Sequence, residues 1–416
     1  MKKLFTLLTV LVALQVSAQI DSTLLVQKTP ADSLKPAMNM DAIYNRQFLS
    51  KGHGAVAIGG YLESNWQHLG EDGNSLGNQF QFRRMSIFMA SSITRKVKFL
   101  TEIEYEHDPD EILEGKSMEI EIEYAAVDVE LSHFINLRSG IILNPIGAFN
   151  QNHDGPKWEF VDRPIAMTQM LPATWSNPGV GFYGKKNKGD WMMGYEIYWT
   201  NGFSNSIIDN DLGKTYLPEA NEDSRRWAAT ANGTPITSAK IAIRNSKIGE
   251  FGFSHMGGVY NTTVVDGLVV DSPRKLGVFD IDVNITLPKL NTNLIAEFAW
   301  VNVQLPSDYA IQYGSKQHGG FLDIVQPVWK GRLGVWKKAQ FNVNLRSEYV
   351  DWNVGTFAVN GANVGDQLWS FVPGVSLRLD SQTVFRVNYR IQKNYDLFMN
   401  PPANLAGFSI GLATYF

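Results

Sequence analysis

Apolar and polar side chains alternate in one segment after another over most of the chain. In 275–287, for example, Phe279 and Ile281 alternate with Asp280 and Asp282. A period of two places successive side chains on opposite faces of a β-strand. The segments are about 10 to 15 residues long, which exceeds the usual globular strand and suits a tilted strand that crosses a bilayer. The pattern therefore predicts an all-β protein, a transmembrane antiparallel β-barrel.

The connections between the predicted strands alternate between short and long. Bacterial outer-membrane barrels have an even number of strands, short periplasmic turns and long extracellular loops. With the N-terminus inside, the first connection, 68–78, is expected to be long and extracellular. The sixteen predicted strands are 54–67, 79–92, 96–107, 117–130, 133–143, 177–186, 189–200, 237–246, 249–262, 275–287, 292–304, 317–329, 338–352, 366–379, 382–395 and 405–416.

The first residues have the features of a secretory signal. Lys2 and Lys3 precede a short apolar stretch, which ends at small residues up to Ala18. This order is typical of a cleaved signal peptide. We therefore predict a signal peptide over 1–18, a flexible periplasmic extension over 19–53 and the barrel over 54–416, in the bacterial outer membrane.

Composition supports a two-faced barrel and excludes several other classes. Aromatic residues make up 12% of the chain, yet the mean hydropathy is only −0.16. Apolar outward positions and polar inward positions would cancel in that average. The chain has no cysteine, which excludes a disulfide scaffold and a cysteine-ligated metal site. A net charge of −4 does not favour a nucleic-acid partner.

Inward positions of the predicted strands carry charges of both signs. A charge facing lipid costs about 2–4 kcal/mol at the bilayer midplane, so these residues predict a water-filled lumen. Two interpretations stay open: opposed acidic and basic arcs that create a transverse field, or solvated wall charges that keep the channel wet. The predicted channel-lining residues are the basic Arg346, Arg378, Arg386, Arg390, Lys240 and Arg244 and the acidic Glu102, Glu104, Glu106, Glu119, Glu121, Glu123, Asp280 and Asp282.

The alternation of apolar and polar residues is broken at two places in the predicted strands. Arg83-Arg84 and Asp128 do not fit a regular strand, so each predicts a β-bulge or an interface position.

The last strand ends the chain on an aromatic residue, which looks like the signal recognised by the outer-membrane insertion machinery. The residues of that predicted signal share one face: Phe408, Ile410, Leu412 and Phe416.

One long candidate loop, 144–176, is rich in proline, glycine and apolar residues. A loop of that length and composition is expected to pack against the rest of the protein. The barrel lumen is the available place, and a loop folded there would narrow the pore. The alternative is an ordered extracellular loop.

Short motifs around this loop resemble the phosphate-selective porin O and P family. They are Asn144-Pro145-Ile146-Gly147, then 160–164 (FVDRP), then 177–184 (NPGVGFYG). The resemblance implies a sixteen-stranded outer-membrane porin, a homotrimer, with the third extracellular loop folded into the channel. It places the constriction around 150–163, where the candidate residues are Asn150, His153, Asp154, Lys157, Glu159, Asp162 and Arg163.

The charges of this loop depart from the lysine- and arginine-rich path expected of phosphate-selective members. Two basic residues, Lys157 and Arg163, stand against three acidic ones, Asp154, Glu159 and Asp162. A general or weakly selective channel is therefore expected, with phosphate and other anions among the candidate solutes.

No catalytic motif, cofactor fingerprint or metal-ligand spacing is found, so the chain is not expected to be an enzyme. The carboxylates of the third and fourth strands are a weak candidate for a divalent cation. The prediction is a porin in outer-membrane lipid, through which small hydrophilic solutes or ions diffuse passively. Two alternatives stay open: an outer-membrane barrel enzyme, and a plugged barrel used for binding or adhesion.

Overall fold

The computed structural model describes residues 38–44, 46, 56–106, 119–222, 224–227, 233–307, 314–357 and 359–416. Sixteen antiparallel strands close into one barrel, in which each strand pairs with its neighbours in sequence and β1 pairs with β16. The predicted architecture is confirmed. The strands are β1 (Ala57–Glu71), β2 (Asn74–Ser92), β3 (Val97–Glu106), β4 (Glu119–Ser132), β5 (Ile135–Leu143), β6 (Ser176–Lys188), β7 (Trp191–Thr200), β8 (Ile236–Asn245), β9 (Gly249–Val259), β10 (Lys275–Leu287), β11 (Thr292–Val303), β12 (Lys316–Leu333), β13 (Trp336–Asp351), β14 (Gln367–Arg378), β15 (Thr383–Tyr395) and β16 (Ala403–Tyr415).

The remaining described elements are short. A two-stranded hairpin joins Val264–Val265 to Leu268–Val269 in the connection after β9. Among the described helices, none is long and apolar enough to cross a membrane. These helices are Asn39–Asp41, Gly155–Lys157, Ala166–Met170, Asn205–Ile207, Glu219–Glu222 and Ser224–Trp227. The predicted signal peptide lies outside the described residues.

The first connection is not the long loop that we predicted over 68–78. The ladder between β1 and β2 continues to the pair Glu71 and Asn74, which leaves a two-residue turn. Asp72 and Gly73 have φ angles of 48° and 85°. Positive φ at both positions is typical of a type I′ hairpin turn, for which Asp-Gly is a strong signal. The polar composition around this dipeptide concealed two strands that extend beyond the apolar band.

The predicted faces of the strands are confirmed by the exposure of their side chains. On β10, Phe279 is 41% exposed, whereas Asp280 and Asp282 are fully buried. On β15, Phe385 is 43% exposed and its neighbour Arg386 is 1% exposed. Apolar residues therefore face outwards and charged residues face the interior.

Bulges explain both breaks in the alternation. A register shift between Glu63 and Ser64 gives β2 an extra residue, so Arg83 and Arg84 both point inwards. A second shift, beside Glu102 on β3, changes the parity of β4. Glu123 lies inside before this shift and Asp128 lies inside after it. The strands thereby hold more inward charges than a regular pleat would allow.

Part of the barrel interior is an apolar core. The connection after β5 (144–175) and the connection after β7 (201–235) contribute apolar side chains to one buried cluster with residues of β8 to β14. The ring centroids of Phe149 and Trp158 lie 5.2 Å apart, and those of Trp158 and Phe321 of β12 lie 5.9 Å apart. The ring centroids of Trp175 and Phe203 lie 5.4 Å apart. These contacts fix the 144–175 loop against the inward face of the strands.

Candidate functional site

The first half of the 144–175 loop is bonded to the wall through its backbone. Glu297 of β11 accepts hydrogen bonds from the amides of Ala148 and Phe149, at 2.9 and 2.8 Å. Lys240 of β8 donates to the carbonyl of Gly147 at 2.6 Å. A carboxylate and an ammonium that point inwards thus hold this part of the loop on the side formed by β8 and β11.

The second half of the loop is bonded to a different part of the wall. Arg386 of β15 donates to the carbonyl of Phe160 at 2.8 Å, and Arg346 of β13 donates to the carbonyl of Asp162 at 2.7 Å. Glu348 of β13 accepts from the amide of Ile165 at 2.9 Å. The loop therefore contacts inward side chains on well-separated strands.

The acidic side chains of the loop are paired with basic residues of the wall. Asp162 contacts Arg83 at 2.8 Å and Arg390 at 3.2 Å. Burial alone would raise the pKa of Asp162, but the attraction of Arg83 and Arg390 outweighs it and lowers the pKa to about 2. Glu159 contacts Arg378 of β14 at 2.5 Å. Asp162 and Glu159 therefore neutralise part of the basic wall.

The predicted basic lining residues are all inward, and each has an acidic partner. Arg346 pairs with Asp323 at 2.7 Å, and both side chains are buried. Arg378 and Arg390 contact the loop as described above. The remaining pairs are Arg386 with Glu63 at 2.7 Å, Lys240 with Asp282 at 2.6 Å, and Arg244 with Glu250 at 3.7 Å. These residues line the wall, but the loop and their partners cover them, so they are less solvated than we predicted.

The acidic lining residues of β3 and β4 divide into buried and exposed members. Glu102, Glu104 and Glu123 are buried, and Glu106 is half-buried beside Arg84. Glu121 is exposed and contacts Arg226. The side chain of Glu119 lies outside the described residues, and on β10 both Asp280 and Asp282 are buried.

The acidic and basic arcs do not lie opposite each other. Only β16, β1 and β2 separate the basic strands β13–β15 from the acidic strands β3 and β4. Closure between β1 and β16 brings together residues that are far apart in sequence, such as Glu63 and Arg386. The two arcs are therefore neighbours, joined by ion pairs.

The described part of the N-terminal extension lies against inward side chains of the barrel. This N-terminal segment comprises residues 38–44 and 46. The backbone amide of Asn39 donates to both carboxylate oxygens of Glu250, at 3.2 and 3.0 Å, and its side chain donates to Asp282 at 3.4 Å. Met40 is buried near Ala242 of β8, and Ile43 is buried near Leu100 of β3. The segment thus contacts two sides of the interior instead of lying free of the barrel.

Arg46 makes the most buried ion pairs of this segment. Its guanidinium lies 2.7 Å from both Glu102 and Asp154. Burial would lower the pKa of Arg46, but Asp154 and Glu102 outweigh it and raise the pKa well above its ordinary value. Burial would raise the pKa of Asp154, and attraction to Arg46 and Lys157 instead holds it well below the ordinary range. Both groups are therefore charged at neutral pH.

Two acidic groups among the described residues are close enough to hold a cation. The ligand atoms of Glu102, His153 and Asp154 lie within 4.8 Å of one another, as do those of the second group, Glu104, Glu106 and Glu123. In the first group a guanidinium already bridges the carboxylates. In the second group, Glu104 contacts Arg84 and Arg163, at 3.4 and 3.5 Å. Arginines of the chain supply the counter-charge at both places.

The remaining candidate constriction residues hold the loop in shape. Asn150 donates from its side chain to the carbonyls of Asn144 and Trp175, at 2.7 and 3.0 Å. The ring Nδ1 of His153 bonds to the carbonyl of Asn150 at 2.9 Å. Lys157 lies 3.2 Å from Asp154, and Asp154 accepts a hydrogen bond from Tyr415 of β16 at 2.7 Å.

Several interior residues were absent from our sequence-based selection. Glu297, Glu250 and Asp323 were missed although they occupy inward positions of predicted strands, and strict use of the alternation would have found them. Arg46 could not have been found in this way. It precedes the first strand, where no period indicates a face.

Comparison with known proteins confirms the resemblance suggested by the motifs. Residues 57–237 match the model of the family described as Phosphate-selective porin O and P. An uncharacterised protein of Aquifex aeolicus is 34% identical over 149 residues, which is 35% of this chain and 32% of that protein. The chain thus spans about a third of the length of this curated relative.

Solved porins share the fold at low sequence identity. The anion-selective porin from Comamonas acidovorans is 12% identical with a TM-score of 0.53, over 87% of this chain and 99% of that chain. The outer membrane channel DcaP of Acinetobacter baumannii is 11% identical with a TM-score of 0.54, over 87% and 97%. The Salmonella typhi OmpF, in complex with daunomycin, is 10% identical with a TM-score of 0.51, over 87% and 98%. These likenesses show the barrel fold, and the family match supports an outer-membrane channel.

Proposed function

We propose that this protein is an outer-membrane porin through which small hydrophilic solutes or ions diffuse passively. The observation that carries the proposal is the closed barrel with apolar residues outside and ion pairs inside. Charged side chains such as Arg346 and Asp323 are tolerated on membrane-spanning strands because they face a polar interior and not lipid. Transport of this kind needs only a solute gradient.

The 144–175 loop is proposed to form the constriction of the channel. Support comes from its contacts with β8, β11, β13 and β15, which place it against several parts of the wall. Solutes would then pass beside Asp162 and Arg163, since these side chains are 24% and 10% exposed. A constriction of this mixed charge sieves mainly by size.

The arrangement favours weak selectivity over a dedicated anion path. The arginines of β13–β15 supply a basic surface, but Glu159 and Asp162 neutralise part of it. Phosphate and other anions are included among the proposed solutes because the strands β13–β15 carry more basic than acidic residues. The anion selectivity named for the Comamonas porin belongs to that protein.

Recording single channels of the purified protein in planar bilayers tests the proposal. We expect discrete conductance steps and a small reversal potential in a salt gradient, with phosphate in place of chloride changing it only slightly. A protein that inserts but never conducts would contradict the porin function. Hydrolysis of phospholipid or peptide substrates in the same preparation would instead support the enzyme alternative.

The oligomeric state is a second part of the proposal. We propose a homotrimer, as the family resemblance implies, with part of the apolar outer surface facing neighbouring subunits. Mass measurement in mild detergent tests this proposal. A single monomeric species at all protein concentrations would contradict it.

One observation favours a plugged barrel as a second candidate. The N-terminal segment contacts both Glu250 of β9 and Glu102 of β3 from inside the barrel. If this segment never leaves, the protein would bind ligands at its surface without conducting. The bilayer recording distinguishes the two, because only the porin conducts.

A further inference from the structure

Arg46 fills a pocket that recognises each part of its guanidinium. Nε and Nη2 donate to the two oxygens of Asp154, at 3.1 and 2.7 Å. Nη2 also donates to Glu102 at 2.7 Å, and Nη1 donates to the hydroxyl of Tyr124 at 2.9 Å. The Cζ atom lies 3.6 Å from the centre of the Phe88 ring. The edges of the planar cation meet acceptors while one face meets an aromatic ring.

This geometry is specific for a guanidinium. A planar fork bonds a carboxylate through two parallel N–H groups, whereas an ammonium is a point charge with three rotatable donors. The ring of Phe88 adds a cation–π contact that favours a flat cation stacked on its face. An ammonium placed between Asp154 and Glu102 could satisfy the charges, but it would not match the acceptors and the ring together.

The walls of the pocket belong to the barrel and to the 144–175 loop. Phe88, Glu102 and Tyr124 lie on the adjacent strands β2, β3 and β4. Asp154 is held by Tyr415 of β16 at 2.7 Å and by Lys157 at 3.2 Å. None of these contacts involves the N-terminal segment. The pocket therefore keeps its shape when Arg46 is absent.

A pocket without Arg46 would attract a cation. Glu102 and Asp154 would remain with Lys157 as the nearest described ammonium, so one negative charge would be uncompensated. Two further polar atoms are buried there: Oε1 of Glu102, which has no hydrogen-bond partner among the described residues, and Nε2 of His153, which lies 3.4 Å from the other oxygen of Glu102. A buried charge without a partner is costly, and a bound cation removes that cost.

We propose that this pocket is a binding site for solutes that carry a guanidinium group, and that Arg46 is its tethered occupant. Binding requires only the folded barrel, so it can be tested apart from conduction. Because Arg46 is part of the same chain, a free solute competes with an effective concentration on the order of mM. Millimolar guanidinium solutes would therefore displace Arg46 from its site.

Calorimetric titration of the full-length Arg46→Ala variant with methylguanidine tests the site directly. We expect saturable one-to-one binding, with methylammonium at least tenfold weaker because it lacks the planar fork. Adding Glu102→Gln to this variant should weaken methylguanidine binding at least tenfold. Arg95→Ala removes an exposed arginine from the turn after β2 and keeps Arg46 in the pocket, so this matched control should bind methylguanidine only on the order of mM, by displacing Arg46, and clearly more weakly than Arg46→Ala does. Equal binding of methylguanidine and methylammonium, or none, would overturn the proposal.

Arg46→Lys gives a second test that keeps the positive charge and so protects folding. We expect its midpoint of thermal unfolding to fall by several degrees, and methylguanidine to restore part of that loss while methylammonium does not. If the lysine variant is as stable as the unchanged protein, only the charge matters and the guanidinium assignment is wrong. The thermal measurement remains valid even if the barrel does not conduct.

Discussion

At Gly147 the loop backbone approaches the wall more closely than a side chain would allow. Its φ of 64° lies in the left-handed region, and a Cβ there would overlap the carboxylate of Glu297. That carboxylate also accepts the amides of Ala148 and Phe149. The residue is therefore needed for two reasons, the backbone conformation and the contact.

Gly147→Ala should destabilise the protein much more than the backbone conformation alone explains. Gly189 is the matched control, because its φ is 60° and a Cβ there would meet nothing within 4 Å. Gly189→Ala should cost about 1–2 kcal/mol, the usual strain of a left-handed residue. Thermal unfolding in detergent measures both variants. Equal losses would show that the contact with Glu297 contributes nothing.

Asp162 makes the stability of the folded protein depend on pH in the acidic range. Since attraction to Arg83 and Arg390 lowers its pKa to about 2, the charged form stabilises the folded state. That contribution is complete above the ordinary value of 3.8 and disappears as pH falls towards 2. The shift corresponds to about 2 kcal/mol near neutral pH.

Asp162→Asn removes this contribution. The variant should be less stable than the unchanged protein at pH 6, and the difference should vanish near pH 2. Unfolding curves at several pH values measure the difference, with the exposed Asp211→Asn as control. A difference that stays constant between these pH values would rule out the ion pairs as its source.

The strands β13–β15 act as a unit, because their arginines both face the lumen and hold the 144–175 loop. Replacing Arg386 and Arg390 with glutamine leaves Glu63 and Asp162 with less compensation. Ion selectivity should therefore move towards cations, by roughly twofold or more in permeability ratio. Reversal potentials in a salt gradient measure the change. Lys393→Gln, outward on β15, is the control, and an unchanged potential in the double variant would refute the role of the arginines.

The elements that the sequence predicted well are those with a strict period. All sixteen strands were predicted because alternation runs through most of each strand, and the break at Arg83-Arg84, for which a bulge and an interface position were both open, is a bulge. The Asp72-Gly73 turn was missed because the strand pairing there extends into polar residues. Pairing partners such as Arg346 and Asp323 could have been inferred from neighbouring strands, whereas loop contacts could not, since a loop has no period.

In the whole molecule, closure of the barrel between β1 and β16 determines which charged residues become neighbours. In sequence, the acidic strands lie near the start of the barrel and the basic strands near its end, and opposed arcs were one of the two interpretations that the sequence left open. The pairing of β1 with β16 makes them neighbours. Arg386 thus reaches Glu63, and Asp154 is bonded both to Tyr415 and to Arg46. The N-terminal segment adds to this arrangement from within the lumen.

Deleting residues 38–46 should raise the conductance of the channel. The segment occupies interior space between Glu250 of β9 and Glu102 of β3, so its removal widens the path for ions. A roughly twofold increase is expected where pore cross-section limits the current. Deleting 19–37 instead keeps the segment and serves as the matched control. If both deletion variants conduct like the full chain, the prediction is wrong. The segment then either leaves the lumen readily in the membrane or lies away from the conducting path. In both cases the 144–175 loop alone forms the constriction.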